Sequence, residues 1–293
     1  MSKKKRALGN CNQAMNSQNL PRRRFLSRTL LGSGALLAPQ ILHGQLRKNT
    51  GSDKKGICIS VKGKHRNMVE KLQNKWTYTW GPNKPSNLPE GVDFAPMIWG
   101  YWGQNNKIIE AGVKAKEQGF ENLLGFNEPD KKKQSNMSVE KALQAWPTLE
   151  ETGLRLGSPA CAHPDNEWMK SFMEKAKRKG LRIDFVCVHS YGNTNSQAFL
   201  NRMEKIIKLY RKPIWITEFA VGDWQAKSAQ QNKHKPKEIL KFMEKTLPKL
   251  DLNRDIERYA WFPAPQNNKH LGTSALYTQK GALTTLGEFY RDH

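Results

Sequence analysis

The chain of 293 residues is short of cysteine, short of acidic residues and without a long apolar run. It has four cysteines. Cys11 lies near the N-terminus; Cys58, Cys161 and Cys187 are an odd set with no Cys-x-x-Cys spacing, which excludes a disulfide framework. All three sit in apolar runs and read as small buried thiols. The seven histidines show neither His-Glu-x-x-His nor any other paired-ligand spacing, so no metal and no cofactor are expected. No Gly-x-Gly-x-x-Gly follows the first apolar run, which removes the dinucleotide fingerprint. No segment reaches the roughly 20 apolar residues that a membrane-spanning helix needs.

Acidic residues number 26 against 49 Lys and Arg, a formal charge of +23. Much of the excess is local. The first 44 residues carry eight basic residues and no acidic one, leaving 41 basic against 26 acidic residues in the remainder. Those lysines are scattered along helix-like segments, as solvated faces are. No stripe of arginine interleaved with aromatics appears, so nucleic acid is not an expected partner. An anionic polymer remains open as a partner on charge alone. With 37 % hydrophobic residues, nine Trp and seven Tyr, the chain can build a sizeable core.

The first 44 residues read as a targeting segment. Arg22-Arg23-Arg24-Phe25-Leu26 precedes a modest apolar run from Thr29 to Leu42, broken by Gly32, Gly34 and Pro39. Two adjacent arginines, any residue, then Phe-Leu is the twin-arginine export pattern. It implies a bacterial protein exported in folded form, periplasmic or extracellular, with no membrane association afterwards. The polar, basic residues 45–55 read as a linker, and residues 56–293 as one catalytic domain, expected to be a monomer.

In that domain, short apolar, β-branched or aromatic runs alternate with amphipathic stretches. The runs are Ile57–Val61, Trp76–Trp80, Phe94–Trp99, Leu123–Phe126, Leu156–Pro159, Phe185–His189, Ile214–Phe219 and Tyr259–Phe262. Helical periodicity covers Ile108–Gln118, Val139–Glu151, Glu167–Arg178, Ala198–Tyr210 and Lys237–Leu247, while Pro85, Pro89 and Gly91 predict a loop between the second and third runs. Such βα alternation indicates a parallel sheet. Eight repeats in a chain of this length match a closed (β/α)8 barrel, typically ~250 residues, with some helices reduced. An open doubly wound sheet is the alternative.

Chemistry in such a barrel sits at the C-terminal strand ends. There the sequence places Trp99-Gly100-Tyr101-Trp102, Asn127-Glu128-Pro129-Asp130, His189-Ser190-Tyr191, Thr217-Glu218-Phe219 and Trp261-Phe262. Strand alternation predicts that Leu124, Phe126 and Glu128 share an inward face, and likewise Ile214, Ile216 and Glu218. The fourth and seventh strands lie nearly opposite, so two carboxylates would face each other over one cleft. That arrangement suits glycosidic bond cleavage, one group protonating the leaving oxygen and the other attacking the sugar carbon.

The chain also resembles glycoside hydrolase family 128. The resemblance rests on Pro96-Met97-Ile98-Trp99-Gly100, Leu124 to Asp130, Gly157-Ser158-Pro159-Ala160, Asp184 to His189, Ile214-Trp215-Ile216-Thr217-Glu218-Phe219 and Arg258 to Phe262. It covers roughly residues 56 to 291. The region of the first two strands, with His65 and Trp80, matches less well, and Ser190 stands where the family more often has an aromatic. The resemblance implies a retaining β-1,3-glucanase acting on β-glucan, with Glu128 as general acid/base and Glu218 as nucleophile. It further implies that Asn127 bonds a sugar 2-hydroxyl, that Tyr191 donates to Glu218, and that His189 holds a sugar hydroxyl or the carboxylate network. Trp261 would be a stacking floor, and Trp99, Tyr101 and Trp102 would line further subsites. Two other functions stay open at this stage: an exported carbohydrate-binding barrel without turnover, and a binder of anionic polysaccharide.

Overall fold

All eight runs become strands that pair in parallel. The computed structural model describes residues 52–60 and 66–293; the twin-arginine segment and His65 lie outside the described residues. The strands are β1 (Lys55–Cys58), β2 (Trp76–Tyr78), β3 (Asp93–Phe94), β4 (Asn122–Leu123), β5 (Arg155–Leu156), β6 (Val186–Gly192), β7 (Ile214–Val221) and β8 (Ile256–Trp261). The helices are α1 (Arg66–Lys71), α2 (Asn105–Glu117), α3 (Val139–Glu151), α4 (Glu167–Arg178), α5 (Ser196–Tyr210), α6 (Pro236–Leu252) and α7 (Thr285–Asp292). Helices α1 and α7 have no counterpart in the periodicity reading: α1 spans six residues, and α7 only eight. The loop between β2 and β3 is as the prolines predict.

Six strands form a continuous ladder in the order β3-β2-β1-β8-β7-β6, and β4 pairs with β5. Single bridges close the circle, Met97 with Leu124 between the third and fourth strands and Gly157 with Phe185 between the fifth and sixth. The fold is therefore an α/β barrel of (β/α)8 type, not an open sheet.

The barrel starts earlier than the sequence suggested. Lys54 and Lys55 fall in the segment read as linker, yet Lys55 opens β1. Successive side chains on a strand point opposite ways, and each lysine takes a different helix end. Lys54 Nζ donates to Asn253 O at 2.7 Å, at the end of α6. Lys55 Nζ, fully buried, donates to Tyr290 O at 2.7 Å and Arg291 O at 2.8 Å, in the last turn of α7. A cation at a helix C-terminus meets both the unpaired carbonyls and the negative end of the dipole. Burial lowers the pKa of Lys55 to about 8.

Between sheet and helices lies a thick apolar layer. Ile214, Ile216, Phe219, Tyr259 and Trp261 pack there with Phe242 and Leu247 of α6, and Phe126 packs with Trp146 of α3 and Phe172 of α4. The barrel interior holds Trp76, Tyr78, Leu124, Phe185, Cys187 and Trp215. Phe185 stacks on Trp215 at 4.2 Å between centroids, and the Arg258 guanidinium lies 4.3 Å from the Trp215 ring. Cys58, Cys161 and Cys187 are buried and free. Burial raises the pKa of each thiol, so they stay neutral packing groups.

This layering corrects the strand faces read from the sequence. Trp215, not Ile214 or Ile216, points into the barrel, and of Leu124 and Phe126 only Leu124 does. In β7 the pairing with β6 steps from Val188–Ile216 to His189–Glu218, leaving Thr217 unmatched. One extra residue reverses which face the following side chains occupy. The bulge is what turns Glu218 into the barrel mouth after two outward isoleucines. In the fourth strand the break is at Gly125, where a Cβ would sit 2.8 Å from Gly157 O and 2.9 Å from Ser158 O. Only glycine lets the two backbones approach this closely.

Gly125→Ala is therefore expected to lower stability by about 1–3 kcal/mol, as an overpacked contact does, and to reduce activity by shifting Asn127 and Glu128. Denaturant unfolding and an activity assay check this. An unchanged midpoint would mean that the strands separate freely.

Candidate active site

The C-terminal ends of the strands surround a cavity of about 660 Å³ lined by Trp80, Trp99, Asn127, Glu128, Tyr191, Glu218, Trp224 and Phe262, among others. Glu218, carried in by the β7 bulge, is buried and receives three donors. Tyr78 Oη donates to Oε1 at 3.0 Å, Trp80 Nε1 to Oε1 at 2.7 Å, and Tyr191 Oη to Oε2 at 2.5 Å. Burial, and next the charge of Glu218, raises the pKa of both tyrosines well above the phenol value, so they remain donors.

Glu128 is held differently. Its backbone has φ of 40°, the left-handed region that non-glycine residues rarely adopt. The turn is pinned by Glu128 N donating to Ala160 O at 2.8 Å and Lys131 N to Glu128 O at 3.0 Å. Asp130 fastens it further, accepting from Ala162 N at 3.0 Å and from Asn166 Nδ2 at 2.9 Å. Asp130 thus clamps the loop after β4 to the loop after β5. Trp80 is the second left-handed residue of the cleft, with φ of 57°. Strain of this kind persists only where the surroundings fix it, and it gathers at functional sites.

His189 joins the two acids. It is 0 % exposed; Nδ1 lies 3.0 Å from Glu128 Oε1 and Nε2 lies 3.5 Å from Glu218 Oε1. Burial pulls its pKa down, but the charge of Glu218, the hydrogen bond to Glu128 and the charges of Glu128 and Asp130 outweigh it, and the net shift is upward. Both ring nitrogens face carboxylates, the placement that a role in the carboxylate network would need. One donor atom from each of Glu128, His189 and Glu218 lies within 4.8 Å of the others, close enough to share a cation.

The remaining residues sort as follows. Asn127 donates through Nδ2 to Gln134 Oε1 at 3.2 Å, and its buried Oδ1 has no partner. Trp99 lines the cavity, and Trp102, 63 % exposed, stacks on it at 5.9 Å. Tyr101 Oη donates to Asn105 Oδ1 in the first turn of α2 and stands outside the cavity lining. Trp261 is a correction. It is fully buried among the helices, with Nε1 donating to Ser274 O at 3.0 Å, and offers no ring face to a ligand. On β8 it is Arg258, Ala260 and then Phe262 that face inward. The aromatic wall is Phe262, set edge-on to Trp80 at 6.0 Å and to Tyr191 at 5.7 Å.

Comparison with known proteins fits this arrangement. Residues 56–290 match the family model described as glycosyl hydrolase catalytic core. The chain belongs to this family, within glycoside hydrolase family 128. It is a glycoside hydrolase. A family 128 subgroup I endo-β-1,3-glucanase from Amycolatopsis mediterranei, solved with laminarihexaose, is 30 % identical, with a TM-score of 0.70 over 82 % of this chain and 98 % of that one. A curdlan-specific exo-β-1,3-glucanase of subgroup III from Blastomyces gilchristii, solved with glucose, is 30 % identical, with a TM-score of 0.67 over 83 % and 99 %. Alkali-sensitive linkage protein 1 of Schizosaccharomyces pombe is 30 % identical over 235 residues, which span 76 % of this chain and 41 % of that protein.

Trp80, Trp224 and Phe262 are the aromatic cleft residues that the sequence reading did not assign, and Tyr78 on Glu218 is a further one; Lys131, His163 and Arg202 also line the cleft without having been assigned. For Tyr78 and Trp80 the signal was present, since Trp76, Tyr78 and Trp80 alternate along one strand with their rings on the interior face. Trp224, 58 % exposed on the loop after β7, carried none beyond its type.

The raised pKa of His189 fixes a pH dependence for this family 128 fold. The folded state binds the proton more tightly than the unfolded chain, so the stabilisation is complete below the ordinary value of 6.5 and disappears as pH rises through the folded value. The difference in melting temperature between wild type and His189→Asn is expected to be greatest below pH 6.5 and to shrink above it. Melts across the pH range check this, and a difference independent of pH would overturn it.

Proposed function

We propose that the chain cleaves β-1,3-glucan with retention of configuration, through a covalent glycosyl ester on Glu218, with Glu128 as general acid/base. One observation carries the stereochemistry: oxygens of the two carboxylates lie within 4.8 Å of each other. Retaining enzymes separate the pair by about 5–5.5 Å, whereas inverting enzymes need about 6.5–9.5 Å to seat a water between them. The endo and exo activities of the two solved relatives support β-1,3-glucan as substrate.

The contacts support the division of roles. Glu218 meets only donors, which orient an oxygen nucleophile while leaving a lone pair for the sugar carbon. Glu128 has a single side-chain partner, His189, and is the more open of the two, as a group that delivers and recovers a proton must be. In the first step Glu128 protonates the leaving oxygen as Glu218 attacks; in the second Glu128 takes a proton from the water that opens the ester. Asn127 Oδ1, buried and unpaired, is the acceptor for a sugar 2-hydroxyl beside the bond that breaks. The substrate surface is the aromatic set Trp80, Trp99, Trp224 and Phe262.

The test uses an activated aryl β-1,3-gluco-oligosaccharide. Glu128→Ala is expected to accumulate the ester and, with azide, to release a β-glycosyl azide. Glu218→Ala is expected to yield the α-azide or nothing. NMR of the product decides: an α-azide from Glu128→Ala would reverse the roles, and inverted product from wild type would remove the covalent route.

The double-displacement route uses no metal. Activity is expected to survive EDTA. Loss of activity that a divalent ion restores would instead assign Glu128, His189 and Glu218 to a metal.

A further inference from the structure

The cleft that holds the two glutamates is also lined by Lys131, His163 and Arg202, and by no third acidic residue. Neutral sugars are held by ring faces and by groups that donate and accept; a cation in the same wall asks for an anion. Neither Lys131 nor Arg202 comes within ion-pair distance of Glu128 or Glu218, whose contacts are made by His189 and the aromatic donors. The cations therefore do not balance the catalytic acids directly.

Their own partners are insufficient. The Lys131 side chain has no hydrogen bond or ion pair among the described residues. Arg202 and Lys205 share one carboxylate, Asp165, which sits 2.8 Å from Lys205 and 3.7 Å from Arg202. Arg202 reaches Ser190 Oγ only at 3.5 Å. Two cations on one carboxylate leave a net positive charge on this wall. Part of the wall is tied to the turn that carries Glu128. Lys131 follows Glu128 in the turn fixed by the hydrogen bond from its own N–H, and His163 follows Ala162, whose N–H is held by Asp130. Beyond Lys131 the exposed Lys132 and Lys133 extend the positive charge along the rim.

We propose that the glucan cut in this cleft carries an anionic substituent, a sulfate ester or a carboxylate, on a sugar adjacent to the scissile bond, and that Lys131 and Arg202 bind it. The inference rests on the glucanase reading of the site. A guanidinium meets either oxyanion through paired N–H donors, and an ammonium supplies a point charge that tolerates both geometries. The rim lysines raise the local concentration of such a polyanion, an effect that salt screens. The basic balance of the domain acts in the same direction.

The experiment compares kcat/KM, from reducing-end release, on three β-1,3-glucans of matched length: unmodified, partly sulfated and partly carboxymethylated. At low salt at least one anionic glucan is expected to exceed the unmodified one by about tenfold, the size of one charge-assisted contact. The preference is expected to fall in high salt and to approach unity in the double variant Lys131→Gln, Arg202→Gln. Which anionic polymer is favoured distinguishes sulfate from carboxylate. Equal or better cleavage of the unmodified glucan would overturn the inference and leave the glucanase reading standing. A preference that survives the double variant would also overturn it. No cleavage of any of the three would overturn the glucanase reading and this inference together.

Discussion

Glu218 is a buried carboxylate at the mouth of a parallel barrel, and its charge sets the terms for what surrounds it. Removing a carboxylate from water costs several kcal/mol unless donors replace the water. Two strands contribute to that replacement around the acid on β7. Tyr78 and Trp80 come from β2 and its extension and Tyr191 from β6, where His189 Nε2 also lies 3.5 Å from the carboxylate. Each donor is a bulky ring whose remaining surface is apolar, so the same residues that satisfy the charge also wall the cleft. The ring edges meet one another and Phe262, giving a rigid aromatic frame around a single negative group.

The second carboxylate depends on the first through His189. A buried imidazole between two acids is favoured in its charged form, and it ties the Glu128 side chain to the β6 strand. The backbone turn of Glu128 depends in turn on Asp130, whose carboxylate takes both its donors from the β5 loop. Acid, clamp and bridging histidine therefore form one connected unit on three neighbouring strands. Near-attack chemistry needs this kind of fixity, because small misplacements of a catalytic group are costly in rate.

Much of this was legible in the sequence. The alternation of short apolar runs with amphipathic segments gave eight strands and five of the seven described helices, since a parallel strand buried on both faces must read as an apolar run. Val139–Glu151 and Glu167–Arg178 fall where the periodicity puts them, and Ser138 and Asn166 cap them as their types suggest. The two glutamates were legible as a pair because each ends a run whose C-terminal end must meet the others at one rim. The shortest helices were not, as six to eight residues give too few turns for a period to show.

Which face each strand-end residue takes was decided only by tertiary structure. Alternation has a period of two, so a single unmatched residue reverses it. Thr217 is such a residue on β7, and without it Glu218 would follow Ile214 and Ile216 outward into the helical layer. On β8 the choice between Trp261 and Phe262 is likewise one of parity, and it went to Phe262 because Arg258 and Ala260 face the barrel axis. The residue types, their order and the strand ends on which they sit are properties of the sequence. The direction each points follows from bulges and close backbone contacts between strands distant in the chain, which local patterns do not encode.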